Sequence, residues 1–279
     1  MHPVWMRCCP GRNSVTGRST GVGNRLLAAL PPADSQLLSP HLQNVAFELD
    51  TVMVRSGDHF DQVYFPNSCT VAFMVEMPDG QTVATTLMGR EGAVGSLTVL
   101  RSPLLCPVNV TVRVAGTAGQ ISAQKLQAAY ARSAAIRHVM HMHFRTQVLQ
   151  LQQAVACNAL HPVERRTARW LLELHDRVDN EMLPLTQEVL AQLLGVRRTT
   201  VTQTMSKLRA AGAIKSDRRG WVEIDRARLE SAACECYRVM QGMVDQTYDS
   251  ELSRPPGTVA LSQDNSMATE IDGGSAEKP

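Results

Sequence analysis

The chain contains 279 residues, of which 44% are hydrophobic, and it carries a formal net charge of +2 at pH 7. This length and composition allow two modest domains with separate hydrophobic cores. No apolar run approaches the roughly 18 to 20 residues that span a bilayer, and the first residues lack the apolar segment of a secretory signal. The sequence therefore predicts neither a membrane partner nor secretion.

The cysteine content gives a second indication of the compartment. The seven cysteines are odd in number and scattered between Cys8 and Cys236. This distribution argues against a disulfide framework and favours a reducing environment. We therefore expect the protein in the cytoplasm.

The chain divides into five predicted segments. The terminal segments 1–22 and 245–279 are rich in Gly, Ser, Pro and acidic residues, and we expect both to be disordered. The period of the apolar pattern changes twice between them. These changes define a β domain over 23–121, a helix over 122–158 and a C-terminal domain over 159–244.

The β domain is predicted from short runs in which apolar residues alternate with a period of two. Turn signals such as Ser56-Gly57-Asp58 and Pro78-Asp79-Gly80 separate these runs. Many short strands at this spacing predict an antiparallel barrel or roll. No strand alternates with a long helix, which disfavours a doubly wound nucleotide-binding fold. The runs are 45–49, 52–54, 63–65, 71–77, 83–87 and 108–114.

A long helix is predicted next, because residues 122–158 contain no Gly or Pro. Apolar residues recur there at intervals of three or four and form one stripe along the helix. The stripe could pack on the roll of its own chain or pair with a second copy across a two-fold axis. We expect the second arrangement, with an interface formed by Ile136, Met140, Phe144, Val148, Leu151 and Val155.

The segment 186–208 has the pattern of a helix-turn-helix for the DNA major groove. Ala191, Gly195 and Val201 have the required spacing: a small residue where the helices cross, a glycine in the turn and an apolar residue that packs the second helix on the first. Polar side chains that can reach base edges and phosphates begin the second helix.

A basic wing is predicted after the two helices. The segments 213–216 and 221–224 alternate like two short strands around the turn Asp217-Arg218-Arg219-Gly220. Between positions 196 and 221 the sequence has seven Lys or Arg residues and a single acidic residue, Asp217. The positive charge is therefore local to this segment. A solvated basic face on a small helical domain would give the same count. The predicted DNA-binding residues are Thr186, Gln187, Arg197, Arg198, Thr199, Thr200, Gln203, Lys207, Arg218 and Arg219.

The order of roll, long helix and winged helix-turn-helix resembles the Crp–Fnr superfamily of bacterial transcription regulators over about residues 23–228. Shared motifs are Ser56-Gly57, Val63-Tyr64-Phe65 and the segment Gly89 to Gly95. The resemblance implies an α+β fold with an antiparallel sensor roll, a dimerisation helix and a winged helix-turn-helix. It also implies that double-stranded DNA, a second copy of the chain and RNA polymerase are the partners. Carried over by alignment, Arg198, Thr199 and Gln203 read bases, and Thr186 and Gln187 meet phosphate.

The sequence departs from the cyclic-AMP-binding members of that superfamily. Those members place a Glu for the ribose hydroxyl where this chain has Ser96, and an Arg-Ser pair for the cyclic phosphate near Val108-Asn109. A buried phosphate without an Arg or a helix N-terminus is poorly compensated, and Arg113 is the nearest cation. We predict no tight cyclic-nucleotide binding. The candidate pocket for an unidentified effector comprises Gly95, Ser96, Asn109 and Arg113.

No metal site or cofactor is predicted. Cys8 and Cys9 are adjacent and cannot replace the spaced cysteines that hold the iron–sulfur cluster of oxygen-sensing members. His138 and His141 could share one helix face, but no further ligand stands near them. Cys106 and Cys157 could be redox sensors or small buried residues, and the second interpretation is favoured.

These observations together predict a homodimeric, sequence-specific transcription regulator. The alternative is a non-specific or architectural DNA-binding protein with a vestigial roll, and a regulator that needs no ligand fits equally well. An enzyme is disfavoured, because no phosphate-binding loop, carboxylate pair or nucleophile–base set stands out.

Overall fold

The computed structural model describes residues 23–100, 105–178, 182–216 and 220–248. The predicted tail 1–22, the turn with Arg218 and Arg219, and residues 249–279 lie outside these ranges. None of the described helices combines the length and the apolarity that crossing a bilayer requires.

Seven strands form the N-terminal roll, as the alternating pattern predicts. They pair antiparallel in two sheets, one with the order β1-β7-β3 and one with the order β2-β6-β4-β5. The antiparallel roll is therefore confirmed. The strands are β1 (Gln43–Phe47), β2 (Val52–Val54), β3 (Gln62–Pro66), β4 (Thr70–Glu76), β5 (Thr82–Met88), β6 (Asn109–Val114) and β7 (Gly116–Ser122).

The interior of the roll is apolar. Val110 and Val112 of β6 are fully buried there with Val71 of β4, and Tyr64 of the other sheet packs against the same cluster. Successive residues of a strand point to opposite faces. Thr111, which lies between Val110 and Val112, therefore belongs to the outer face of the four-stranded sheet.

The helical region that follows the roll consists of two helices. Helices α1 (Arg25–Ala28) and α2 (Pro32–Ser35) precede the strands, and α3 (Ala123–Arg132) and α4 (Ala134–Leu160) follow them. Ser133 has extended backbone, and its hydroxyl accepts a hydrogen bond from the Ile136 amide at 3.0 Å. This N-cap ends one helix and begins the next, so the single helix predicted over 122–158 is corrected to two.

The C-terminal domain is a winged helix-turn-helix. The predicted helices and both wing strands are present, and a third strand completes a small sheet with the order β8-β10-β9. The elements are α5 (Val163–His175), β8 (Met182–Pro184), α6 (Gln187–Leu194), α7 (Arg198–Ala210), β9 (Ile214–Ser216), β10 (Trp221–Ile224), α8 (Arg226–Ala232) and α9 (Cys236–Gln246).

Helix α9 extends into the segment that was predicted to be a disordered tail from residue 245. The Thr247 hydroxyl lies 2.6 Å from that of Thr146 on α4, and the Tyr248 hydroxyl donates to the Glu91 carbonyl at 2.6 Å. Gln153 of α4 contacts Cys236 at the other end of α9, so the two helices run antiparallel. These contacts hold residues 245–248 in place. The predicted start of the disordered tail at residue 245 is therefore wrong by these residues.

The roll and the C-terminal domain share one hydrophobic core. Ala72 and Met74 of β4 and Leu87 of β5 cluster with Leu190 and Leu194 of α6. The outer face of the four-stranded sheet is thus covered by the helix-turn-helix of the same chain. The sheet and α6 are therefore parts of one packed core.

Candidate nucleic-acid interface

The turn between α6 and α7 has the geometry that the sequence predicts. Gly195 is left-handed, with φ +62° and ψ 41°, and the Val196 amide donates to the Ala191 carbonyl at 3.1 Å. This backbone conformation favours glycine over residues with a Cβ atom. Val201 is fully buried and packs α7 on the preceding helix.

The outer face of α7 is polar and exposed. Arg198, Thr199 and Gln203 lie on it, whereas Thr200 is half-buried. Sequence analysis missed two further residues of this face, Thr202 and Ser206, which are also exposed. They follow Thr199 by three and seven residues, a spacing that places them on the same helix face and could have indicated them. The opposite face is buried and consists of Val201, Thr204, Met205 and Leu208.

The predicted phosphate-contacting residues hold the N-terminus of α6. The Thr186 hydroxyl accepts a hydrogen bond from the Val189 amide at 3.2 Å, which makes it the N-cap. The Gln187 side-chain oxygen accepts from the Thr202 hydroxyl at 2.8 Å. Gln187 therefore ties the first helix to the recognition helix. Thr186 is exposed and keeps a hydroxyl proton to donate.

The local positive charge is smaller than the sequence count suggests. Lys207 pairs with Glu164 of α5 at 2.5 Å, and Lys215 pairs with Glu223 of β10 at 3.0 Å. Both acids lie outside the counted segment, which is why the count missed them. Arg197 and Arg198 are exposed, and no ion pair joins either of them to another described residue. Arg218 and Arg219 lie outside the described residues.

The turn of the helix-turn-helix rests on the roll. A Cβ atom at Gly195 would lie 2.9 Å from a methyl carbon of Val83 on β5. Nearby, the Arg113 guanidinium donates to the Asp50 carboxylate at 2.7 Å and to the Gln192 side-chain oxygen at 3.3 Å. Arg113 thus points from β6 toward α6. Its placement in an effector pocket is corrected, because its strand direction faces it away from the roll interior.

The other three residues of the predicted effector pocket do not converge on a ligand. Gly95 has φ +78° and lies against Phe60, and Ser96 is buried. Asn109 accepts a hydrogen bond from the Ser56 amide at 3.0 Å. None of these groups brings a cation into the roll interior, where a phosphate would need one.

The predicted dimer stripe is divided in two by the structure. Ile136 and Met140 are 0% and 3% exposed and pack on the roll of their own chain, so their assignment to an interface is corrected. Phe144 is partly buried against the same cluster. Val148, Leu151 and Val155 are 54%, 39% and 69% exposed. Only this second half of the stripe is available to a partner.

A buried ion pair and a cavity lie between the two domains. Arg177, after α5, donates through Nε and Nη2 to one oxygen of Glu91 at 2.8 and 2.6 Å. Beside them is a cavity of about 500 Å³, whose lining includes Arg90 and Tyr237. The roll, α5 and α9 all contribute to its walls.

Two histidines of α4, His141 and His143, have different surroundings. The His141 ring nitrogen lies 2.7 Å from the Tyr130 hydroxyl, whereas His143 is buried against the roll. A different set of potential ligands, which sequence analysis missed, converges elsewhere: Cys157, His161, Cys234 and Cys236. They belong to distant parts of the sequence, so no local spacing indicates them, and the prediction of no metal site does not account for them.

Two family models match this chain. The cyclic nucleotide-binding domain model matches residues 44–133, and the Crp-like helix-turn-helix domain model matches residues 165–232. The fold and the matched domains define a DNA-binding transcription regulator with a cyclic-nucleotide-binding-like roll. The chain belongs to the Crp–Fnr superfamily.

Solved structures share this fold at low sequence identity. FixK2 from Bradyrhizobium japonicum is 15% identical, with a TM-score of 0.59 over 69% of this chain and 98% of its own. A protein from Eubacterium rectale assigned to the Crp/Fnr family is 18% identical, with a TM-score of 0.60 over 74% and 96%. The c-di-GMP responsive regulator CLP from Xanthomonas campestris is 19% identical, with a TM-score of 0.56 over 70% and 99%. No curated protein matches significantly.

Proposed function

We propose that the chain is a homodimeric transcription regulator that reads an inverted repeat in the major groove. The observation that carries this proposal is the outer face of α7. Arg198, Thr199, Thr202, Gln203 and Ser206 are exposed there, while the opposite face of the helix is buried. An Arg at the start of such a helix can pair with the O6 and N7 atoms of guanine, and Gln can read adenine.

The composition of this face predicts an operator that differs from that of cyclic-AMP-responsive relatives. Those relatives carry a Glu at the position of Thr199, and a carboxylate accepts a hydrogen bond from cytosine. A threonine hydroxyl does not replace it in the same geometry. The half-sites should still lie about one helical turn apart, because a two-fold dimer presents its recognition helices at that spacing.

The second half of the α4 stripe supports the dimer. Val148, Leu151 and Val155 lie at intervals of three and four residues, so they form one exposed apolar row. A sister helix packed on this row would bury it. We propose the homodimer interface there, with RNA polymerase as a further partner of the DNA-bound form and the cytoplasm as the compartment.

Control by cyclic AMP is not part of the proposal. The roll interior is packed with apolar side chains, and Arg113 is committed to Asp50 and Gln192. A cyclic phosphate would therefore lack a cationic partner at the predicted positions. Calorimetric titration with cyclic AMP and cyclic GMP should show no micromolar binding.

Selection of duplexes from a random library with the purified full-length chain, at near-physiological salt, tests the proposal. We expect one inverted repeat to be recovered. Sequence-blind, salt-sensitive retention, unchanged when cell-extract metabolites are added, would instead support an architectural DNA-binding protein. Recovery of the repeat only with metabolites would identify a ligand-dependent regulator.

A further inference from the structure

Three cysteines and one histidine form a cluster at the end of α4. Cys157 and His161 are one helical turn apart at the C-terminus of α4, and Cys234 and Cys236 flank the start of α9. All their candidate ligand atoms lie within 4.8 Å of one another. We propose that these four residues bind one divalent metal ion of the zinc type, in a tetrahedral Cys3His site.

The distances fit a single tetrahedral ion. Zinc binds sulfur at about 2.3 Å and nitrogen at about 2.0 Å, which separates two sulfur ligands by about 3.8 Å and a sulfur from a nitrogen by about 3.6 Å. The Cys157 and Cys234 sulfur atoms are 3.5 Å apart, and the Cys236 sulfur lies 3.5 Å from His161 Nδ1. Small movements would bring these ligands to the tetrahedral spacing.

The contacts of His161 prepare its Nδ1 atom for a metal. His161 Nε2 lies 3.0 Å from a Glu235 carboxylate oxygen. A carboxylate that accepts the Nε2 proton leaves the lone pair on Nδ1, which is the atom that faces the cysteines. This carboxylate–histidine pair is the arrangement that commonly orients histidine ligands.

Two further side chains beside the cluster carry a hydrogen-bond donor or a positive charge. Gln153 Nε2 donates to the Cys236 sulfur at 3.1 Å. The guanidinium of Arg169 is almost fully buried nearby, and its Nε and Nη2 atoms have no hydrogen-bond partner among the described residues. Three thiolates and one divalent ion carry a net charge of −1, and the Arg169 guanidinium, which also pairs with Glu173 at 2.6 Å, places positive charge near them.

The arrangement distinguishes this site from two alternatives. A disulfide between Cys157 and Cys234 would use only two of the four ligands and would leave the Glu235–His161 and Gln153–Cys236 contacts without a role. A polynuclear iron–sulfur cluster distributes its four protein ligands over two or four iron atoms and so needs a wider spacing of the whole set than 4.8 Å. The four protein ligands leave no open position, which is typical of a structural zinc site.

The position of the site gives the ion a mechanical role. It would join the end of α4 to the start of α9 where the chain enters α5, the first helix of the DNA-binding domain. Metal binding is coupled to folding when its ligands come together only in the native state. The ion would therefore fix α9, which contacts α4 along its length, and with it the orientation of the winged helix-turn-helix.

Metal content and cobalt spectroscopy of the full-length chain test this site. Protein purified under reducing conditions should contain one zinc per chain by inductively coupled plasma mass spectrometry. Co²⁺ added to chelator-treated protein should give thiolate-to-cobalt charge-transfer bands and tetrahedral ligand-field bands at a stoichiometry of one. The double variant Cys234→Ser/Cys236→Ser should lose both signals. Cys69→Ser and Cys106→Ser, which change buried cysteines outside the cluster, should retain them.

A milder variant separates metal binding from folding. Glu235→Gln keeps every ligand and should weaken zinc affinity about 10- to 100-fold, measured by competition with a chromogenic chelator. The proposal is overturned if the wild-type chain takes up neither Zn²⁺ nor Co²⁺ while remaining folded by circular dichroism. It is also overturned by a Cys157–Cys234 disulfide in reduced preparations, or by iron with acid-labile sulfide in place of a single ion.

Discussion

Arg177 binds Glu91 through two nitrogen atoms, at 2.8 and 2.6 Å, and so joins the DNA-binding domain to the roll. The two side chains are only 12% and 14% exposed. Glu91 also accepts from the Gly89 amide at 3.1 Å, within the segment Gly89 to Gly95. A motif of the roll thus anchors the domain that carries the recognition helix.

Loss of this ion pair should destabilise the chain. Glu91→Gln removes the carboxylate that contacts the buried guanidinium of Arg177 directly, which costs about 3 kcal/mol. Chemical denaturation at neutral pH measures the change in free energy of unfolding. Arg177→Met combined with Glu91→Gln is the matched control and should recover part of the loss. Equal stability of Glu91→Gln and the wild type would contradict the buried pair.

The same pair predicts a response to acid. Burial alone would raise the pKa of Glu91, but the charge and hydrogen bonds of Arg177 outweigh it and lower the pKa. The resulting stabilisation is present above the unfolded pKa of about 4.3 and is lost as the pH falls through the lower folded value. The wild type should therefore lose stability below about pH 4.3 more steeply than Glu91→Gln.

Gly195→Ala should disturb both the turn and its contact with the roll. Left-handed backbone costs an alanine about 1–2 kcal/mol, and the new Cβ would approach Val83 at 2.9 Å. Thermal unfolding should show a loss of at least about 1 kcal/mol. Adding Val83→Ala should restore the stability lost through the Cβ contact, but not the stability lost through the left-handed backbone.

Gly242→Ala is the matched control for that substitution. Gly242 lies within α9, where a Cβ atom meets nothing within 4 Å. Alanine is a better helix former than glycine, so this variant should gain about 0.5–1 kcal/mol. A gain at Gly195 as well would show that the turn does not require the left-handed conformation.

The sequence predicts those parts of the fold that depend on local spacing. Ala191, Gly195 and Val201, together with the wing that follows them, predict the helix-turn-helix, and alternation predicts the strands of the roll. The cysteine cluster could not be predicted, because Cys157 and Cys234 are separated by 77 positions and meet only when α9 packs against α4. The direction of Arg113 likewise depends on the pairing of its strand, which the sequence does not show.

His143 predicts a second loss of stability in weak acid. Burial on α4 lowers the pKa of its imidazole from 6.5 to about 4, and its Nε2 atom has no hydrogen-bond partner among the described residues. The unfolded chain binds a proton below pH 6.5, whereas the folded chain resists it until about pH 4. Stability should therefore fall by about 3 kcal/mol over this window.

Denaturation series between pH 7 and 4 on His143→Gln and on His41→Gln test this effect. His41 is exposed, so its variant should keep the wild-type slope. His143→Gln should lose most of the slope between pH 6.5 and 4, even if its stability at pH 7 is lower. An unchanged slope in His143→Gln would show that another group binds the proton.

The dimer proposal predicts a monomer when the exposed row of α4 is charged. Val148→Asp and Val155→Asp would each place a carboxylate in an apolar helix interface, where burial without a partner is unfavourable. Sedimentation velocity should show a dimer for the wild type and a shift toward monomer for both variants. Ala128→Asp, an exposed change on α3, should leave the dimer intact. A wild-type monomer at micromolar concentration would contradict the proposal.

Arg198→Ala tests whether the outer face of α7 reads bases. Arg198 lies exposed in the first turn of α7, and no ion pair joins it to another described residue, so its guanidinium is available to DNA. A lost bidentate contact to guanine should weaken binding to the selected operator by about 1–3 kcal/mol and relax one base pair of each half-site. Arg132 is an exposed residue of α3. Arg132→Ala removes the same charge and should change neither the affinity for the operator nor the base preference. An equal loss on the operator and on random duplexes would assign Arg198 to phosphate contact, because backbone contacts weaken all sequences alike.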